Sequence, residues 1–189
     1  MQFNIATIFA LAGAASAAPQ IQSRQTITTD DVFGLVALRS GSPVHFQSLQ
    51  AQQSSFLSGL PSQNASCDVA GENFASFTLS SDGALSLYST SAPYQEAFVD
   101  ASGMGQGVWR YTTGAEPMVA NGQRTAFYLD ESNDLYFNNH SFIACPYLNG
   151  SYSFSVDVGS ATPFGNEDCL SVSLRAVKSS TPVGCLYTS

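Results

Sequence analysis

Few residues in this chain could start a reaction. There are two histidines, His45 and His140. His45 lies between Val44 and Phe46 in a period-two segment, so it faces solvent if those two face inward. His140 follows Asn139 directly, and a surface position is expected for it as well. A Ser–His–Asp triad needs a base histidine held by a buried carboxylate, and no nucleophile-elbow pattern is present. The carboxylates Glu96, Asp100, Glu116, Asp130, Glu131 and Asp134 could do glycosidase chemistry if two of them faced each other across a cleft. Asp130 to Asp134 is dense enough to suggest calcium. It lacks the glycine and the terminal glutamate of an EF-hand loop, so a solvated turn is the simpler expectation.

The stretch FVDASGMGQG, residues 98–107, carries glycines at 103, 105 and 107. A phosphate cradle needs a helix N-terminus after such a loop. Here Val108-Trp109-Arg110-Tyr111 follows, which is strand-like, and no Gly-Lys-Ser/Thr is present. The stretch is expected to be a turn between strands. No catalytic, cofactor-binding or metal-binding residue is assigned. Among the aromatics, Tyr111, Tyr136 and Tyr147 are the candidates for stacking on a sugar ring, where an aromatic face offers a flat apolar platform.

Four cysteines, Cys67, Cys145, Cys169 and Cys185, contain no Cys-x-x-Cys and have no paired histidines, which disfavours a zinc site. An even count behind an export signal predicts two disulfides. Of the three connectivities, Cys67–Cys145 with Cys169–Cys185 is the one expected. Three sequons, at Asn64, Asn139 and Asn149, are candidate N-glycan acceptors on the surface.

These residues sit in a chain of 189 residues with 14 acidic and 6 basic side chains, net −8. That sign disfavours nucleic acid and anionic membrane surfaces as partners. Residues 1–17 read as a secretory signal peptide: an apolar stretch followed by Ala15-Ser16-Ala17, a small-residue cleavage pattern. Residues 18–31 are polar and aperiodic, an expected flexible N-terminal arm. Residues 32–189 are then one domain, large enough for a real core.

Period-two alternation dominates that domain, which predicts an all-β fold. Three segments share one template: Val36/Leu38 with Val44/Phe46, Phe77/Leu79 with Leu85/Leu87, and Phe127/Leu129 with Leu135/Phe137. Each pair of runs is split by turn residues, Asp82-Gly83 being the strongest hairpin signal. Recurrence at intervals of roughly 40–50 residues favours a β-trefoil-like barrel, with another antiparallel barrel or a sandwich as the alternative. Further strands are expected at 108–112, 152–156, 170–174 and 185–187. One short helix is expected over 47–60, ended by Gly59 and Pro61.

Several quoted pieces together resemble one family. QEAFVDASGMGQGVWRYTTGAEP, FGLVALRSGSPVHFQ, GLPSQNASCD, Phe142-Ile143-Ala144-Cys145-Pro146 and GNEDC at 165–169 resemble the fungal cell-wall PhiA family, in order, over about residues 32–187. Residues 18–31 depart from it in having no cysteine where some relatives carry one. The resemblance implies secretion by filamentous fungi, association with the wall and a part in phialide and conidium development. It also implies relatives that act as IgE-binding allergens or as elicitors of plant defence. It implies no catalytic residues. The expected function is a secreted, wall-associated, non-enzymatic protein whose partners are wall polysaccharides or wall proteins. A lectin-like module and a secreted hydrolase or protease inhibitor are the alternatives. The sequence does not fix the oligomeric state.

Overall fold

The computed structural model describes residues 25–29, 31–160 and 162–189; the signal-peptide segment 1–17 lies outside them. Fourteen strands form among these residues, with two short 3-10 turns at Leu148–Gly150 and Pro163–Gly165 and no α-helix. They are β1 (Phe33–Leu38), β2 (Gln50–Gln52), β3 (Ser55–Ser58), β4 (Ser66–Cys67), β5 (Ser76–Leu79), β6 (Leu85–Leu87) and β7 (Gln95–Asp100). Then come β8 (Val108–Thr113), β9 (Phe127–Leu129), β10 (Asp134–Phe137), β11 (Phe142–Pro146), β12 (Tyr152–Val156), β13 (Leu170–Lys178) and β14 (Cys185–Leu186).

Every pairing is antiparallel. Nine strands close a ring in the order β1, β5, β6, β7, β8, β3, β12, β11, β13 and back to β1. The closing seam runs from Phe33 opposite Lys178 to Leu38 opposite Ser173. Closure removes the free edges that an open sheet would present. The β9–β10 hairpin attaches to β13, β2 attaches to β3, and β4 pairs with β14 as a separate two-stranded sheet.

The predicted three-fold repeat holds at two places and fails at one. The β5–β6 and β9–β10 hairpins pair Phe77 with Leu87 and Phe127 with Phe137, as the template requires. At the first site β1 buries Phe33, Leu35 and Ala37, so Val36 and Leu38 face the other side. Tight turns then carry residues 39–46, with Ser42 N–H donating to Arg39 O and His45 N–H to Ser42 O. Phe46 adopts φ 64° and swings out to 71% exposure. The barrel therefore is not built from three equivalent units, and the trefoil subtype gives way to a nine-stranded barrel.

The expected helix over 47–60 is also overturned. That segment is the β2–β3 hairpin, with Gln53 and Ser54 at φ 50° and 55° between Gln52 and Ser55. Two positive φ values in a two-residue loop match the twist of paired strands. The expected strands at 108–112, 152–156, 170–174 and 185–187 are present as β8, β12, β13 and β14.

Aromatic rings fill the barrel. Trp109 stacks on Phe56 at 4.1 Å between centroids and meets Phe142 at 4.7 Å. Phe127 packs edge-on against Phe137 at 4.8 Å. Such pairs add about 0.5–1.5 kcal/mol each beyond simple burial. The chain end closes one mouth. Tyr187 is buried, its hydroxyl accepts from Ser76 N–H, and Thr188 O accepts from Ser54 N–H and from the Tyr111 hydroxyl. The described part of the arm lies against the barrel: Ile27 packs on the core, Asn133 Nδ2 donates to Gln25 O and Lys178 pairs with Asp31.

Candidate functional site

Most of the candidate carboxylates are engaged in turns or ion pairs. Glu96 pairs with Arg124 at 3.2 Å, and Glu116 accepts from Thr113 N–H at 2.8 Å. Asp130 Oδ1 accepts from the N–H groups of both Ser132 and Asp134, each at 2.8 Å, which makes the acidic run a side-chain-capped turn. Asp134 holds Arg175, with Nη2 at 3.0 Å from its Oδ2, and that bond raises the Arg175 pKa further. Glu131 is exposed. Among the described residues no group of three or more metal-ligating side chains comes together.

The histidines are equally occupied with local structure. His45 Nδ1 accepts from Arg39 N–H at 3.1 Å, and its ring lies 3.9 Å from that of Phe46. His140 Nδ1 lies 3.0 Å from Asp157 O.

The glycine loop is a turn between β7 and β8, and its glycines have separate roles. Asp100, buried at the end of β7, accepts from Ser102 N–H at 3.0 Å. A Cβ on Gly105 would lie 2.1 Å from Asp100 Cγ. Gly107 has φ +81°, and a Cβ there would lie 2.1 Å from Val156 O. Gly103 has open space around it. The loop is therefore shaped by contact with its own carboxylate and with β12.

The disulfides are Cys67–Cys185 and Cys145–Cys169, which corrects the expected connectivity. The reason is strand pairing. Cys67 and Cys185 face each other across β4 and β14, while Ala144 and Leu170, neighbours of the other two cysteines, are paired across β11 and β13. Together the bridges tie the closing strand of the mouth and one flank of the barrel wall.

Of the three aromatic candidates, Tyr111 is excluded from sugar contact. It is 1% exposed, lies in the aromatic core and donates its hydroxyl to Thr188 O. Burial drives its pKa well above the usual phenol range. Its strand explains this: Trp109 and Tyr111 are two apart in β8 and share the inner face. Tyr147 is on the surface, 46% exposed. Tyr136 is half-buried on the outer face of β10, where it stacks on Tyr128 at 5.5 Å with an interplanar angle of 15°. Tyr128 was missed by sequence reasoning. It lies directly across from Tyr136 in the β9–β10 register, a relation the hairpin template already implied. The sequon asparagines Asn64, Asn139 and Asn149 are all exposed, with φ 53°, 64° and 56°.

One surface groove has mixed character. Gly34 leaves its floor open, Phe74 (40% exposed) and Val177 wall it, and Ser48, Lys178 and Ser179 line its edge; its volume is about 280 Å³.

The model of the PhiA-like secreted proteins matches residues 33–188. The chain belongs to the PhiA-like secreted protein family. It is 44% identical over 181 residues to "Cell wall protein phiA" of Aspergillus fumigatus, covering 95% of this chain and 97% of that one. It is 42% identical over 188 residues to the protein of that name from Emericella nidulans, covering 98% of each. With the Aspergillus niger protein it shares 44% over 162 residues, covering 85% of this chain and 88% of the other. No solved structure matches the chain. Membership of the PhiA-like family makes this a secreted protein of the cell wall.

Proposed function

We propose that the chain is a non-enzymatic wall component that serves phialide and conidium development, with host recognition as allergen or elicitor a consequence of its place at the surface. The supporting observation is where the carboxylates stand. Glu96, Asp100, Glu116, Asp130 and Asp134 each hold a turn or an ion pair rather than facing one another across a cleft. Disruption of the gene in the source fungus tests the developmental part, with reduced conidium formation expected and normal conidiation refuting it. Incubation of the purified protein with wall polymers tests the non-enzymatic part. No release of reducing ends is expected, and release that scales with protein concentration refutes it.

A glycan-binding reading is favoured by the groove at Gly34 and Phe74. An aromatic wall beside a floor without a side chain, edged by hydroxyls and one ammonium, suits the apolar face and the hydroxyls of a sugar. Retention on insoluble chitin or β-glucan, lost in Phe74→Ala, is the expected result. Equal behaviour of the two proteins, or no retention at all, removes this reading.

A further inference from the structure

We propose that Asn139 carries an N-linked glycan whose first N-acetylglucosamine packs on Tyr128, making the β9–β10 aromatic pair a platform for the protein's own sugar. Asn138 and Asn139 form the two-residue turn after β10, at φ 47° and 64°, with Phe137 and His140 bridged across it. The Tyr128 hydroxyl donates to Asn139 Oδ1 at 2.9 Å. That bond engages the amide oxygen. The nitrogen, which must carry the sugar, makes no hydrogen bond among the described residues. Tyr128 is 38% exposed and is braced from behind by Tyr136. A sugar leaving Asn139 Nδ2 thus starts beside a fixed aromatic ring, and a pyranose face of C–H groups covers it well. The Asn64 amide oxygen likewise accepts from a hydroxyl, but the donor is Ser62, at 3.1 Å, and brings no aromatic ring. In the third sequon the Ser151 hydroxyl is buried and donates to Leu148 O at 2.6 Å.

The chemistry is ordinary for a secreted chain. The donor is a lipid diphosphate-linked oligosaccharide of the secretory pathway. Asn139 Nδ2 forms a bond to the anomeric carbon, the bond from that carbon to the diphosphate oxygen breaks, the lipid diphosphate leaves with the electron pair, and Nδ2 loses one proton. Nothing is oxidised or reduced.

The experiment uses the full chain secreted from a eukaryotic host. Glycopeptide mass spectrometry reads occupancy. Melting is compared for three forms: intact, trimmed to one N-acetylglucosamine, and stripped by an amidase. The trimmed form is expected to keep the Tm of the intact protein, and the stripped form to lose about 2–4 °C. In Tyr128→Ala that difference should vanish, while Asn64→Gln and Asn149→Gln should preserve it. The parent protein gives a second readout: NMR shifts of the first sugar's protons should be moved upfield by the tyrosine ring. An unoccupied Asn139, an equal loss in Tyr128→Ala, or solvent-like sugar shifts each overturn the proposal.

Discussion

The Gln95 side chain hydrogen-bonds both backbone groups of Tyr187. Its Nε2 donates to Tyr187 O at 2.8 Å, and its Oε1 accepts from Tyr187 N–H at 2.8 Å. The amide stands in for a neighbouring strand, with Nε2 also donating to Thr113 Oγ1 at 2.8 Å. Gln95 is 1% exposed, so water has no access to replace it. Gln95→Ala strands two buried backbone groups, each costing about 1–3 kcal/mol, for a total loss of roughly 2–6 kcal/mol. Chemical denaturation followed by the fluorescence of Trp109, the single tryptophan, measures it. A loss below about 1 kcal/mol would show that the clamp does not matter.

The glycine turn separates cleanly by substitution. Gly107→Ala meets both a positive φ and the Val156 carbonyl, and Gly105→Ala meets Asp100. The conformation alone costs about 1–2 kcal/mol at Gly107, and the clash adds to it. Gly103→Ala is expected to be neutral within about 0.5 kcal/mol. Similar melting of all three variants would mean the turn is held by something other than these contacts.

Non-reduced peptide mapping should link Cys67 to Cys185 and Cys145 to Cys169. The first bridge spans 118 residues and the second 24. On loop length alone, removing the first costs about 4–5 kcal/mol and the second about 3 kcal/mol. A larger loss for the second pair would mean native packing outweighs loop length.

Acid should loosen the arm. The hydrogen bond from Lys178, helped by Thr28 N–H, lowers the Asp31 pKa to about 2. Its folded value is below the ordinary one near 3.9, so its contribution is complete above about pH 4 and fades as pH falls towards 2. Melting curves across that window should slope less steeply in Asp31→Asn than in the parent. Parallel curves would remove the pair from the acid response.

Alkali acts at Tyr187 and Tyr111. Burial raises the Tyr187 pKa to about 12 and the Tyr111 pKa higher still. The unfolded chain releases these protons near pH 10, so stability is complete below that pH and falls as pH climbs towards 12. Tyrosinate absorbance should show late ionisations that coincide with loss of near-UV circular dichroism. Full titration near pH 10 with the fold intact would contradict the burial.

Much of this was legible in the sequence where local chemistry decides. The β5–β6 hairpin followed from alternation plus Asp82-Gly83, and β9–β10 from the same pattern. The β2–β3 hairpin was not, because Gln53-Ser54 takes positive φ without the Asn or Gly that normally announces it. Phe46 misled for a related reason: one left-handed residue flips a side chain that alternation places inside. Tyr111 could have been placed correctly, since it shares a face with Trp109. Disulfide connectivity could not, because the β4–β14 pairing that sets it joins residues 118 apart.

The seam between β1 and β13 also sets a schedule. Ribosomes deliver β1 long before β13, so the ring cannot shut until β13 has been made. Until then β1 offers an unpaired edge to its neighbours. Closure of the barrel therefore depends on pairing between distant parts of the chain, Phe33 with Lys178.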